Sequence, residues 1–171
     1  MTSFRLAFPN HQARLVTLAV SYHLARPGSE LDPDTLADYQ HGLRELLPVL
    51  ESQLDAESAA VELSPLQAVL LATALSSVIS ELKMYSVFDT MSGASNRPRS
   101  TAIGFDDRLR SLFPEVGGDP SFASQLAADM TMLRREIPLE RAREVIEEER
   151  QAAETARARK KRWQFWRRST S

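Results

Sequence analysis

Prolines and helix-capping residues divide this chain into segments, and the apolar residues between them recur at helical spacing. Ser64-Pro65-Leu66-Gln67 is a capping box with proline in the first turn, and the apolar segment that follows it extends to about Met91. Asp32-Pro33 and Asp119-Pro120 each join a capping carboxylate to a proline at the first helical position. No long strand-like alternation of polar and apolar residues accompanies these signals. The sequence therefore predicts an all-α fold.

The first half of the chain predicts three helices. The first is expected to run from a cap at Asn10 to about Arg26. One stripe of this helix is apolar and consists of Leu15, Leu18, Ala19, Tyr22 and Ala25. A leucine stripe over 36–54 predicts a second helix, with a kink or break at Pro48. The third is apolar nearly all round over 68–79, which is typical of the buried centre of a bundle.

The second half predicts a loop over 92–104, a short helix over 105–113 and a longer helix opened by Asp119. Pro138 should restart or kink the chain. The last helix has few apolar residues, and Glu140 with Arg143, and Arg143 with Glu147, can form ion pairs along it. We therefore predict a single-domain bundle of five or six helices over 1–137, a projecting charged helix over 138–162 and a basic aromatic tail over 163–171.

Composition limits the functional classes. The 171 residues are 43% apolar and 26% charged, which suits one globular domain. The chain has no cysteine, so disulfides, thiolate metal sites and cysteine nucleophiles are excluded. The start of the chain has no long apolar stretch before Pro9, and we expect a cytoplasmic protein.

Opposite charges are segregated along the chain. Residues 1–156 hold 14 Lys and Arg against 23 Asp and Glu, a net charge of −9. Residues 157–171 hold seven Lys and Arg and no acid, a net charge of +7. An acidic body with a basic tail is typical of a protein whose tail is an interaction segment.

Two sets of residues could have a metal-binding or catalytic role, but both are better explained as solvated residues on the protein surface. Asp34, Asp38, His41 and Glu45 share one face of a predicted helix, yet no second helix supplies matching ligands. His11 and His23 lie about 120° apart on the first helix by helical geometry, so they cannot hold one ion together. No nucleophile-elbow or glycine-rich phosphate motif is present. We expect neither an enzyme nor a cofactor or metal.

The loop segment Arg97-Pro98-Arg99-Ser100-Thr101 is basic and hydroxylated, so it could bind an anion or receive a phosphate. A mobile connector kept soluble by its arginines is the simpler interpretation, since a long loop is either functional or merely disordered.

The tail is the strongest functional candidate because it holds both tryptophans of the chain among cations. Tryptophan normally supplies core or interface area. We assign binding to ten residues: Arg157, Arg159, Lys160, Lys161, Arg162, Trp163, Phe165, Trp166, Arg167 and Arg168.

Three kinds of partner fit this composition. Cations interleaved with aromatic rings suit an anionic membrane surface, here the inner face of a membrane. They also suit an acidic protein surface, with the tryptophans as anchors, and a homodimer is possible. Single-stranded nucleic acid is the alternative, and it ranks lower because the acidic body would be repelled by a polyanion. The expected function is that of a non-enzymatic helical adaptor, and the alternative is a nucleic-acid-associated regulator.

Overall fold

The computed structural model describes residues 2–26, 42–92, 104–119 and 121–169, with only the backbone path at 87–92 and 160–169. The described residues form six α-helices and one small two-stranded sheet, so the protein is mostly helical, as predicted. In chain order the elements are β1 (Phe4–Pro9), α1 (Asn10–Leu24), α2 (Leu46–Glu51), β2 (Ser58–Leu63), α3 (Pro65–Ser92), α4 (Phe105–Leu112), α5 (Ser121–Glu136) and α6 (Leu139–Ser169). Short 3-10 turns at Leu43–Glu45 and Pro114–Gly117 precede α2 and follow α4.

The prediction of an all-α fold was wrong for two segments. β1 and β2 pair antiparallel, from Phe4 opposite Leu63 to Pro9 opposite Ser58. In β2 the side chains alternate strictly between exposed and buried, which is the period of a strand. A two-stranded ribbon is only marginally stable alone, and here both strands also contact α1.

Asn10 does not cap α1, because it is itself the first residue of the helix and Pro9 occupies the cap position. Its side-chain amide donates to the carbonyl oxygens of Leu54 at 2.5 Å and Ala56 at 2.8 Å. The backbone N–H of Asn10 donates to the carbonyl of Glu57 at 2.9 Å. Asn10 therefore fastens the start of α1 to the connection between α2 and β2.

Of the second helix predicted over 36–54, the structure shows only α2, which ends at Glu51, before Leu54. Residues 36–41 lie outside the described residues, and α2 begins at Leu46. Pro48 consequently lies in the first turn of α2 and not within a longer helix. First-turn N–H groups have no partner inside the helix, so the missing N–H of proline breaks nothing there.

The capping box at the start of α3 is confirmed. The N–H of Ser64 donates to Oε1 of Gln67 at 2.9 Å, and the N–H of Gln67 donates to Oγ of Ser64 at 3.2 Å. The amide nitrogen of the Gln67 side chain also donates to the carbonyl of Gly42 at 3.1 Å. Gln67 is only 7% exposed, so one side chain caps α3 and anchors the segment before α2.

α3 lies at the centre of the helical packing, as predicted, and it contacts α1, α5 and α6. It is not covered on every side, because Leu66, Thr73 and Met84 are exposed. Among the described residues, Pro65–Ser86 is the one stretch long and apolar enough to cross a membrane, and half of it is buried inside the protein.

A second buried helix was not anticipated. The sequence predicts one apolar stripe on α1, whereas all six residues from Leu15 to Val20 are buried. α1 has neighbours all round, namely both strands, α2, α3, α4 and α5. Thr17, the one polar residue of the six, donates its hydroxyl to the carbonyl of Ala13 at 2.8 Å, so its burial leaves no unpaired donor.

The later helix boundaries follow the predicted signals closely. α4 ends at Leu112, before Pro114. Asp119 caps α5, since its Oδ1 accepts the N–H of Ser121 at 2.9 Å. Hydrogen bonds from Ser121 lower the pKa of the Asp119 carboxyl below its ordinary value. α5 ends just before Pro138, and α6 begins at Leu139.

Candidate functional site: the C-terminal helix

α6 has two parts that differ in burial. Near its start Ala142 and Val145 are buried and Ile146 is half-buried, and this part packs against α3. From residue 147 to 159 every side chain is exposed. The helical backbone continues to Ser169. At 1.5 Å per residue, the 23 residues after Ile146 extend roughly 34 Å.

Local ion pairs lie along the solvent-facing surface of α6, both where it packs against α3 and beyond. Glu140 and Arg143 pair at 3.3 Å, as predicted. Glu147 pairs with Arg150 at 2.9 Å, whereas the sequence had suggested Arg143 as its partner. Arg141 contacts Glu144 at 3.0 Å, and this carboxylate, together with the charge of Glu148, raises the pKa of Arg141. Of these pairs, Glu147 with Arg150 lies in the exposed part of α6, where such local pairs stabilise a helix that has no core to pack on.

The order of charges in α6 also favours a long helix. Its six glutamates all lie at positions 140–154, and its last basic residues all lie at 157–168. A helix carries partial positive charge at its N-terminus and partial negative charge at its C-terminus. The interaction falls off within one turn of each end, so Glu140 in the first turn and the positions of Arg167 and Arg168 in the last turn are the ones placed favourably for the helix dipole.

The ten predicted binding residues all lie on α6. The side chains of Arg157 and Arg159 are exposed. The other eight occupy 160–168, where only the backbone is described, so their contacts stay a prediction. Because this backbone is helical, positions 163 and 166 lie on the same side of the helix. Viewed down the helix axis, the position of Arg159 falls between them.

The candidate metal cluster does not gain support. Asp34, Asp38 and His41 lie outside the described residues, and Glu45 is exposed in the turn before α2. Within the described ranges, no group of three or more His, Asp and Glu side chains could hold a metal ion. The basic loop segment 97–101 also lies outside what the structure describes.

His11 has a structural contact that the sequence did not reveal. Its Nε2 lies 2.9 Å from Oδ2 of Asp129, and its ring packs edge-on against Phe113. This pair links α1 to α5 across 118 residues of sequence. Neither residue belongs to a local motif, and only a predicted packing of α1 against α5 could have found the pair.

Two open clefts lie on the surface of the described residues. One, of about 220 Å³, lies between α1, α2 and α4 and includes the ion pair of Glu51 with Arg108. The other, of about 390 Å³, lies at the turn between α5 and α6. Two arginines that line it already have partners: Arg134 donates to the carbonyl of Ala72 at 3.4 Å, and Arg141 pairs with glutamates. Neither cleft offers a converging set of free catalytic groups among its lining residues.

Comparison with known proteins adds no assignment, because no family model, no curated protein and no solved structure matches this chain significantly.

Proposed function

We propose that this protein is a helical adaptor that docks onto an anionic membrane surface through the basic, tryptophan-bearing end of α6. The observation that carries this proposal is the exposure of every side chain from 147 to 159. The body leaves this part of the helix uncovered, so the segment leading to the tail is free to meet a partner.

Charge favours this kind of surface. Each basic residue near an anionic membrane contributes about 1 kcal/mol, so the seven cations of the tail give at most roughly 7 kcal/mol. Those that point away from the surface contribute less. Indole rings lie preferentially at the level of the lipid headgroups, so Trp163 and Trp166 would add attraction that does not depend on salt.

The acidic body opposes binding, and the length of α6 offsets this repulsion. The first tail residue, Arg157, lies 11 residues beyond Ile146, which corresponds to roughly 16 Å along a helix. The Debye length at physiological ionic strength is about 8 Å. With α6 directed at the surface, the net charge of −6 on residues 1–146 would therefore be largely screened while the tail makes contact, whereas the net charge of −3 on residues 147–156 stays close to the tail and reduces the attraction. Because the cytoplasmic leaflet carries the negative surface potential, our proposal places the protein in the cytoplasm, at the inner face of a membrane.

The test is co-sedimentation with vesicles. We expect full-length protein at low salt to sediment with vesicles that contain phosphatidylserine or phosphatidylglycerol, and not with purely zwitterionic vesicles. Protein lacking 157–171 should keep its melting temperature, because residues 157–159, the removed residues whose side chains are described, are all exposed, but it should stay in the supernatant. Full-length protein that ignores anionic vesicles at low salt would refute the proposal.

Two matched variants distinguish the effect of the tail's charges on vesicle binding from the effect of the protein's total net charge. Neutralising Arg157 and Arg159 to Gln should weaken vesicle binding by about 2 kcal/mol, or roughly 30-fold. Neutralising Arg5 and Arg135, which are also exposed, changes the net charge equally. This control pair should leave binding nearly unchanged, and equal losses would contradict a role specific to the tail.

An acidic protein surface and single-stranded nucleic acid remain the alternative partners, and the same variants test them. A labelled oligonucleotide that quenches the tryptophan fluorescence of full-length protein, with a steep dependence on salt, would favour the nucleic-acid alternative. Vesicle binding without such quenching would favour the membrane.

A further inference from the structure

The exposed part of α6 carries a continuous helical seam. One row of positions follows spacings of three and four residues, which are the a and d spacings of a heptad, and four of its six residues are apolar: Glu149, Ala152, Ala156, Arg159, Trp163 and Trp166. The seam prolongs the face that begins with Ala142 and Val145, which are buried at the base of α6. Beyond Ile146 no other described element covers this face. A face that starts in the core and continues uncovered is suited to a second helix.

The distribution of charge along α6 indicates which helix could pair with it. Residues 147–156 contain four Glu and one Arg, a net charge of −3, whereas residues 157–168 carry +7. A parallel pair of α6 helices would place +7 beside +7. An antiparallel pair places each basic half beside an acidic half, twice.

We propose that α6 pairs antiparallel with α6 of a second copy of this chain. The contact is isologous, which is the symmetry of most homodimers. The two acidic bodies then lie at opposite ends of the pair, separated by roughly 34 Å of helix, several times the Debye length of about 8 Å.

Side-chain size selects the register. In a pair centred between positions 157 and 158, position 163 of one copy faces position 152 of the other. This register sets the position of a tryptophan opposite the position of an alanine, and helix seams interdigitate when large residue types alternate with small ones across them. Position 156 faces position 159 of the other copy, and position 149 faces position 166.

This inference goes beyond membrane docking, because it names a second partner for the same face of the tail. In the absence of a membrane, the second copy covers the tryptophan positions. A membrane and a second copy therefore compete for that face, and each can be measured without the other.

The experiment uses single-cysteine variants of the full chain, which has no cysteine of its own. Ala152 and Ala156 are exposed alanines on the same seam, so Ala152→Cys and Ala156→Cys form a matched pair. In the proposed register the two copies of position 156 are offset by roughly 4.5 Å along the axis, and those of position 152 by roughly 16 Å. The helix axes lie about 8–10 Å apart in either case.

Without vesicles and at low salt, a short bis-maleimide should cross-link Ala156→Cys efficiently and Ala152→Cys at least several-fold less. Equal cross-linking of both variants would show a parallel pair, and stronger cross-linking through position 152 would show a different register. Either result overturns the proposal, as does the absence of cross-linking in both.

Sedimentation velocity on the unmodified chain supplies a second measurement. We expect twice the monomer mass at low salt, and dissociation at high salt or in a Glu147→Lys, Glu148→Lys, Glu149→Lys variant. A monomer at low salt would overturn the pairing. If that monomer still sediments with anionic vesicles, the membrane proposal stands alone; if the dimer forms but ignores vesicles, only the pairing stands.

Discussion

Replacing Gln67 with Met tests whether one buried side chain holds two segments together. The change keeps a similar length and volume but removes both polar atoms of the side chain. The N–H of Ser64 loses its acceptor, and the carbonyl of Gly42 loses its donor. Leaving a buried polar group without a partner costs about 1–3 kcal/mol.

For two such groups, one of them only part-buried, we expect a loss of about 3 kcal/mol in the free energy of unfolding. In a chain of this size each kcal/mol lowers the melting temperature by about 2–4 °C. The melting temperature of Gln67→Met should therefore fall by roughly 6–12 °C. Urea unfolding followed by circular dichroism would give the free energy directly.

Two controls accompany this variant. Ser64→Ala removes only the acceptor for the N–H of Gln67, so it should cost about 1 kcal/mol, as other capping residues do. Gln125→Met makes the same substitution at an exposed position of α5 and should be nearly neutral. If the melting temperatures of Gln67→Met and Gln125→Met differ by less than one degree, the bonds from Gln67 to Ser64 and Gly42 contribute nothing measurable to stability, and the reasoning fails.

Two further predictions concern hydrogen bonds at helix starts. Asn10→Ala should cost about 1–2 kcal/mol by loss of the bonds to Leu54 and Ala56, and Asn10→Asp should cost at least as much, since it sets a carboxylate against two carbonyls. If urea unfolding shows that Asn10→Asp leaves the free energy of unfolding unchanged, the result would instead indicate a capping role, because Asp caps a helix as well as Asn does. The lowered pKa of Asp119 means that its ionised form stabilises the folded state above about pH 3.8, and that this contribution is lost as the pH falls through the folded pKa. In thermal melts below that pH, Asp119→Asn should therefore lose stability less steeply than the unchanged protein; identical slopes would argue against the hydrogen bonds from Ser121.

Local signals predicted most of the helical elements correctly. The capping box at Ser64, the cap at Asp119 and the restart after Pro138 each depend on neighbours within four residues. Such signals act on the backbone directly, whatever packs around them. The first strand gave no comparable signal, since apolar residues at positions 6, 7 and 8 hide its alternation.

The charge of the candidate site follows from the sequence alone. Residues 1–156 carry a net charge of −9 and residues 157–171 carry +7, and this difference needs no coordinates. The low apolar content of the last helix also predicts that it projects from the body, but the point at which burial ends, Ile146, and the helical backbone up to Ser169 required the structure. The point at which burial ends depends on which helices surround α3, and the amino-acid sequence of α6 does not contain that information.

By itself, the sequence determined where most helices start and stop and where the charges lie, because capping, proline geometry and composition act over a few residues. Only the tertiary structure decided three long-range features. β1 joins β2 across about 50 residues, His11 meets Asp129, and α1 is enclosed on all sides. Each of these depends on a loop closing between distant segments, and the energy that favours closure comes from the whole packed core rather than from any local pattern.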